Sequence, residues 1–144
     1  MGMSDTDRNP VDRLGLEVLS ADECWALLAS TPIGRVAFVD AGEPLVFPVT
    51  HGVHGRSVVF RSGSGSKLEA AAMARPVAFE VDEWDQDRRV GWSVLARGVG
   101  ETVYDEDVIE QFAASDVEPW LAAAADGTWI RLRVDEISGR RIRA

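Results

Sequence analysis

The chain has 144 residues, the size of one domain with one core. Hydrophobic residues make up 46% and charged residues 27%, ordinary proportions for a globular protein, and the formal net charge of −9 argues against broad electrostatic binding to nucleic acid or an anionic membrane. A single cysteine, Cys24, excludes an intrachain disulfide, and no apolar run approaches the ~20 residues that span a bilayer, so a cytoplasmic protein is expected.

Residues 1–17 lack periodicity and read as a flexible tail ahead of a single domain over 18–144. Met1 to Pro10 has no apolar core, unlike a secretory signal. Ser20-Ala21-Asp22-Glu23 is a capping box, which starts a helix over about 21–29 with Cys24, Leu27 and Leu28 on one face; Thr31-Pro32 stops it. Cys24 on that face reads as a small core residue.

Strands follow. Ile33 to Asp40 alternates, Ala41 to Pro44 reads as a hairpin turn, and Leu45 to His51 forms a second strand in which Pro48 favours an edge or a bulge. Gly52 to Gly55 turns the chain into a third strand, Arg56 to Ser62. Lys67 to Ala74 has the composition of a short helix. In the strand Pro76 to Glu83, Val77, Phe79 and Val81 share one face and Ala78, Glu80 and Asp82 the other. A charged loop, Trp84 to Val90, leads to a long strand from Gly91 to Tyr104, in which Gly98 and Gly100 mark a bulge. Asp105 caps a helix of about 106–114, Val117 to Ala125 reads as further helical turns, Trp129 to Val134 is a sixth strand, and Ser138 to Ala144 reads as a basic tail. Six strands, short turns and small helices predict a mainly β (α+β) domain built on a closed or half-open antiparallel barrel.

The stretch with most chemistry is Phe60 to Leu68. Lys67 is the only lysine in the chain, and it follows a glycine–serine turn at the end of a strand. The spacing fits neither a nucleotide-hydrolase P-loop nor a dinucleotide fingerprint, since Leu68 stands where a magnesium-binding hydroxyl belongs and the third glycine is missing. Free backbone N–H groups, hydroxyls, Arg61 and Lys67 could hold a phosphate. A cation in the first turn of a helix opposes its dipole, which an intervening anion would relieve. A solvated polar turn is the competing reading. His51 and His54 lack the further ligands a metal needs. The carboxylates Glu80, Asp82, Glu83, Asp85 and Asp87 read as a solvated face. No nucleophile–histidine set is present.

The series Gly34-Arg35-Val36-Ala37, Pro44 through Pro48-Val49, Val59-Phe60-Arg61-Ser62 with Ser66-Lys67, Val77-Ala78-Phe79-Glu80-Val81-Asp82, Gly91-Trp92-Ser93-Val94 and Arg97-Gly98 resembles, in order and spacing, the pyridoxamine 5′-phosphate oxidase-related FMN-binding split β-barrel family, its short bacterial members in particular. The resemblance covers about residues 18–143. It implies a homodimer with a flavin in each cleft between the chains. The phosphate would meet Phe60, Arg61, Ser62, Ser66 and Lys67, and the ring would lie along Pro48, Val49, Thr50 and His51. Trp92 and Ser93 would come from the partner chain, and Trp120, Trp129, Arg131 and Gly139-Arg140-Arg141 would lie near the outer cleft. It also implies an FMN-dependent oxidoreductase acting on a small organic substrate. An F420-dependent reductase or a non-catalytic flavin-binding or sensing protein on the same barrel are the alternatives. The paired basic residues that hold substrate in true pyridoxamine-phosphate oxidases have no convincing match here, which puts that reaction in doubt.

Overall fold

The computed structural model describes residues 9–63, 68, 75–114, 117 and 127–143. Its elements, in chain order, are β1 (Glu17–Val18), α1 (Ala21–Ser30), β2 (Ile33–Asp40), β3 (Glu43–His54), β4 (Ser57–Ser62), β5 (Pro76–Asp85), β6 (Val90–Val103), α2 (Glu106–Ala113) and β7 (Thr128–Ile142). The strands form one antiparallel sheet in the order β1-β7-β4-β3-β2-β5-β6, and a further β6–β7 pairing closes six of them into a barrel.

Local chemistry accounts for most of these elements. Ser20 Oγ accepts from the Glu23 N–H at 3.2 Å, and the Glu23 carboxylate accepts from the Ser20 N–H at 3.2 Å, the capping box expected at the start of α1. Asp105 caps α2 through the Asp107 and Val108 N–H groups. Ala41 and Gly42 take φ of 49° and 79°, a two-residue turn whose twist matches the β2–β3 hairpin. The register shifts at Arg97/Gly98, where a Cβ on Gly98 would stand 1.8 Å from the Arg133 carbonyl oxygen, so only glycine allows β6 and β7 to close there.

β3 changes partner midway. Glu43 to Thr50 pairs with β2, whereas His51 to His54 pairs with β4, so the barrel is split between the first part of β3 and β4. The His51 N–H donates to the Pro32 carbonyl at 2.9 Å, toward the β2 side. The two-residue period therefore turns the backbone of Thr50, Pro48 and Val46 the other way, toward the split. Pro48, which has no N–H, costs the β2–β3 ladder nothing there, in accord with its expected edge position.

Inward residues fill the barrel. Val36, Phe38, Val58, Phe60, Val77, Phe79, Val81, Val94, Ala96, Ile130 and Leu132 form the main core, with Leu68 and the α1 residues Cys24 and Leu28. The void left inside is only about 10 Å³. A second cluster lies outside the barrel wall, where Val59, Val103 and Trp129 pack against Phe112 of α2.

Four expectations are corrected. The supposed basic tail is the second half of β7: Arg140 pairs with Ser93 and Val18, and Arg141 with Trp92 and Glu17. Six expected strands become seven, because Glu17–Val18 adds to the free side of β7. The supposed flexible tail is anchored from Asn9 onward: Asn9 donates to Glu17 and Glu23, and Asp12 pairs with Arg140. β3 continues to His54, so the turn is Gly55-Arg56 rather than the whole of Gly52 to Gly55. The expected helix over 67–74, apart from Leu68, and most of the stretch 117–125 lie outside the described residues. Among the described residues, no helix is long and apolar enough to cross a membrane.

Candidate functional site

The described side chains fill the barrel interior, so the candidate site is sought on its outside. Two places on the outside carry the expected residues.

The first is the end of β4. Alternation turns Phe60 inward, 1% exposed and stacked on Phe79 at 6.3 Å, so its side chain belongs to the core and cannot contact a ligand. Arg61 points outward. Its guanidinium lies 5.0 Å from the centroid of the Trp129 ring, and its Nε and Nη2 donate to the Gly127 carbonyl, both at 3.3 Å. Nearby outward arginines are engaged: Arg131 and Arg133 share the one Glu101 carboxylate at 2.5 and 2.8 Å, a set with net charge plus one. Among the described residues, no carboxylate lies within ion-pair distance of Arg61. Ser62 is 4% exposed, and its Oγ has no hydrogen-bond partner among the described residues. An unpaired buried hydroxyl costs free energy unless something bonds it. The position of Gly63 is open, with nothing within 4 Å of where a Cβ would sit. Alternation sends the two side chains to opposite faces of β4: the end of the strand offers a buried hydroxyl with no described partner on one face, a guanidinium with no described carboxylate partner on the other, and open space at Gly63. Ser66 and Lys67, the other two expected contacts, lie outside the described residues, as does Trp120.

The second place is the outer face of β3, β2, β5 and β6. Pro48 and Thr50 face outward, opposite Arg35 and Ile33, while Val49 packs inward against the core. His51, expected along a ligand ring, is instead buried beneath α1, where its Nε2 lies 2.8 Å from the Leu28 carbonyl. A carbonyl only accepts, so Nε2 carries the proton and Nδ1 is left unpaired. Burial holds the His51 pKa below its ordinary value, despite the bonds to Leu28 and Pro32, so the ring is neutral near pH 7. His54 packs edge-on against Phe112 at 5.2 Å.

Trp92 and Ser93 stand at the start of β6, whereas Val103, at its end, pairs with Trp129 beside Arg61. The intervening strand is ~36 Å long at ~3.3 Å per residue. One chain therefore does not bring Trp92 and Ser93 to Arg61 and Ser62. It does bring Ser93 beside Asp82 and Arg140. Arg140 is occupied by Asp12 at 3.1 Å, and Arg141 lies 3.5 Å from Glu23 and 3.7 Å from Glu17.

A charged cluster on this face escaped the sequence reading. Arg35 bonds Glu80 at 2.9 Å and Asp82 at 2.7 Å, and each side chain is about one-third exposed or less apart from Arg35 at 38%. Burial and the neighbouring Asp82 push the Glu80 pKa up to about 7. Asp82, against its own desolvation, is held below the usual range by bonds to Glu80 and Arg35. The alternation of both strands put these residues on outward faces, but only the β2–β5 register, Arg35 opposite Glu80, brings them together.

The model of the pyridoxamine 5′-phosphate oxidase family matches residues 20–141. An uncharacterized Mycobacterium tuberculosis protein is 34% identical over 129 residues, 86% of this chain and 84% of that protein. Among solved structures, an FAD-binding protein from Mycobacterium smegmatis shares 38% identity with a TM-score of 0.76, covering 88% of this chain and 99% of that one. An FAD-binding protein from Mesorhizobium loti shares 26% identity with a TM-score of 0.73, covering 90% and 98%. The barrel described above is the split barrel of these proteins.

Proposed function

Since the chain belongs to the pyridoxamine 5′-phosphate oxidase family, we propose that it is a dimeric flavoprotein that binds its flavin by the phosphate at the end of β4 and uses it to oxidise or reduce a small organic substrate. The observation that carries this reading is the buried Ser62 hydroxyl, which no described group bonds, next in sequence to Arg61, whose guanidinium has no described carboxylate partner. FMN and FAD share that phosphate. FMN is the minimal cofactor the site needs, and the similarity to two proteins named as FAD-binding favours FAD as the second reading.

Arg61 and Ser62 would hold the phosphate by charge-assisted bonds, with Ser66 and Lys67 beside them. Pro48 and Thr50 line the split, where the outward-turned backbone of β3 offers hydrogen-bonding groups to the polar edge of a flat ring. Bound flavin supplies two-electron redox chemistry, and the chain supplies position and electrostatics. No nucleophile is required of the protein.

The separation of the two groups of expected contacts supports the dimer reading. Trp92 and Ser93 reach the phosphate end of a site only if they come from a second copy. The outer face supports the same reading. Val39 is 59% exposed, Val46 60%, Val99 41% and Leu95 37%, an apolar patch of the kind that marks an interface. Ala37, Ala78 and Pro44 extend it around an open groove of about 750 Å³. The single buried Cys24 fits a reducing cytoplasm.

Flavin titration followed by fluorescence quenching tests the reading. Saturable binding of FMN or FAD, and bleaching of the bound flavin by NADPH or NADH, would support a flavin oxidoreductase. Binding without bleaching by any donor would favour a carrier or sensor, and failure to bind either flavin would overturn the proposal.

A further inference from the structure

The outer face that the dimer reading pairs with a second copy carries an apolar patch, charges along its groove, and a charged cluster near its middle. Arg35 stands opposite Pro48 on one side and Glu80 on the other, Glu80 opposite Leu95, and Asp82 opposite Ser93. One guanidinium therefore serves two carboxylates: the same Arg35 Nη2 lies 2.9 Å from Glu80 and 2.7 Å from Asp82. One positive charge balances only one of two carboxylates held this close, so the pair favours sharing a proton. With that proton the cluster is neutral: one positive charge from Arg35 and one negative charge shared by Glu80 and Asp82. Without it the cluster carries a net charge of minus one.

We propose that this cluster makes the pairing of two copies of the chain proton-dependent. The faces close when Glu80 and Asp82 share one proton, and the pairing weakens when both are ionised. The inference rests on the dimer reading above and adds the control that acts on it.

Three features support it. Closing the face removes the cluster from water, and an unbalanced buried charge is far more costly than a balanced one. A two-fold interface presents the same patch from both chains, so each ionisation occurs twice. No other described charge faces Glu80: β3 offers Pro48, β6 offers Leu95 and Ser93, β2 offers Arg35, and β5 offers Asp82. Of the other charges of this face, Arg97 is paired with Glu136 at 2.6 Å and Arg75 with Asp40 at 3.4 Å, while Asp135 lines the groove beyond them. The sign follows. Association that favours the protonated cluster takes up protons, so it strengthens as pH falls and weakens as pH rises through neutrality.

Fluorescence-detected sedimentation of the full chain at constant ionic strength, between about pH 6 and about pH 8.5, tests this. For the wild type, the dimer dissociation constant should rise by about tenfold or more over that range. Glu80→Gln, which keeps a polar group of the same shape but cannot ionise, should give a dimer whose constant is flat over the same range. Asp82→Asn, which leaves one carboxylate on Arg35, should also flatten it. A wild-type constant that does not change with pH, or a Glu80→Gln variant with the full wild-type slope, would overturn the proton control and leave the dimer standing. A wild-type chain that is monomeric at every pH would overturn both.

Discussion

Replacing Arg61 with alanine separates the two roles its position allows. Within the chain, its guanidinium makes two long bonds to the Gly127 carbonyl, 3.3 Å each, and lies 5.0 Å from the centroid of the Trp129 ring. The cation–π contact is worth ~0.5–1 kcal/mol and the long bonds add little, so the apo protein should lose about 1 kcal/mol of stability. Toward a flavin phosphate the same group makes a charge-assisted contact worth ~1.5–3 kcal/mol, a loss of roughly 10- to 150-fold in affinity. Paired measurements distinguish the two: a thermal melt of the flavin-free protein, and a titration with FMN followed by quenching. Arg61→Lys should recover part of the affinity, because it keeps the charge but loses the planar fork. A folded Arg61→Ala protein that binds FMN as tightly as the wild type would refute the placement of the phosphate.

Three further outcomes follow from the same geometry. Ser62→Ala removes a buried hydroxyl that no described group bonds, so the flavin-free protein should melt at the same temperature or slightly higher while flavin affinity falls by about 1 kcal/mol, measured by titration. Because the fold disfavours charged His51, its contribution to stability is fully present above the ordinary histidine range, ~6.5, and is lost as pH drops through it; denaturant melts between about pH 5 and about pH 7.5 on a Glu80→Gln background, which removes the raised carboxylate of opposite sign, will record the fall. Gly98→Ala puts a Cβ 1.8 Å from the Arg133 carbonyl oxygen, so the β6–β7 closure must shift; a loss of ~3 kcal/mol or more is expected in a denaturant melt, against a negligible change for Gly63→Ala, where the space is open.

The fold was legible where a local signal agrees with its tertiary use. The capping box at Ser20, the alternation of Val77, Phe79 and Val81, and the glycine at the β6 bulge each state their role within a few residues. β7 was legible only to Val134. Beyond it, Ser138-Gly139-Arg140-Arg141 has no apolar alternation, and its strand state comes from pairing with β6 on one side and β1 on the other. Gly139 lies where a Cβ would come within 2.8 Å of Cys24 Sγ, a reason for glycine that no local pattern reveals. The same holds at the site. Arg61 and Ser62 could be picked from the turn chemistry, but the buried place of His51 depends on α1 crossing over β3. The Arg35–Glu80–Asp82 cluster depends on a cross-strand register that composition does not encode. A run of carboxylates around a turn is usually solvated, and here two of its members are half-buried and paired with Arg35.

The central claim is that the chain holds a flavin, and mass spectrometry of the cofactor released from protein purified without added flavin tests it most directly. The account predicts FMN or FAD, about one per chain, lost from the Arg61→Ala variant. Release of F420, or no flavin from a protein that also fails to bind added FMN and FAD, would contradict it.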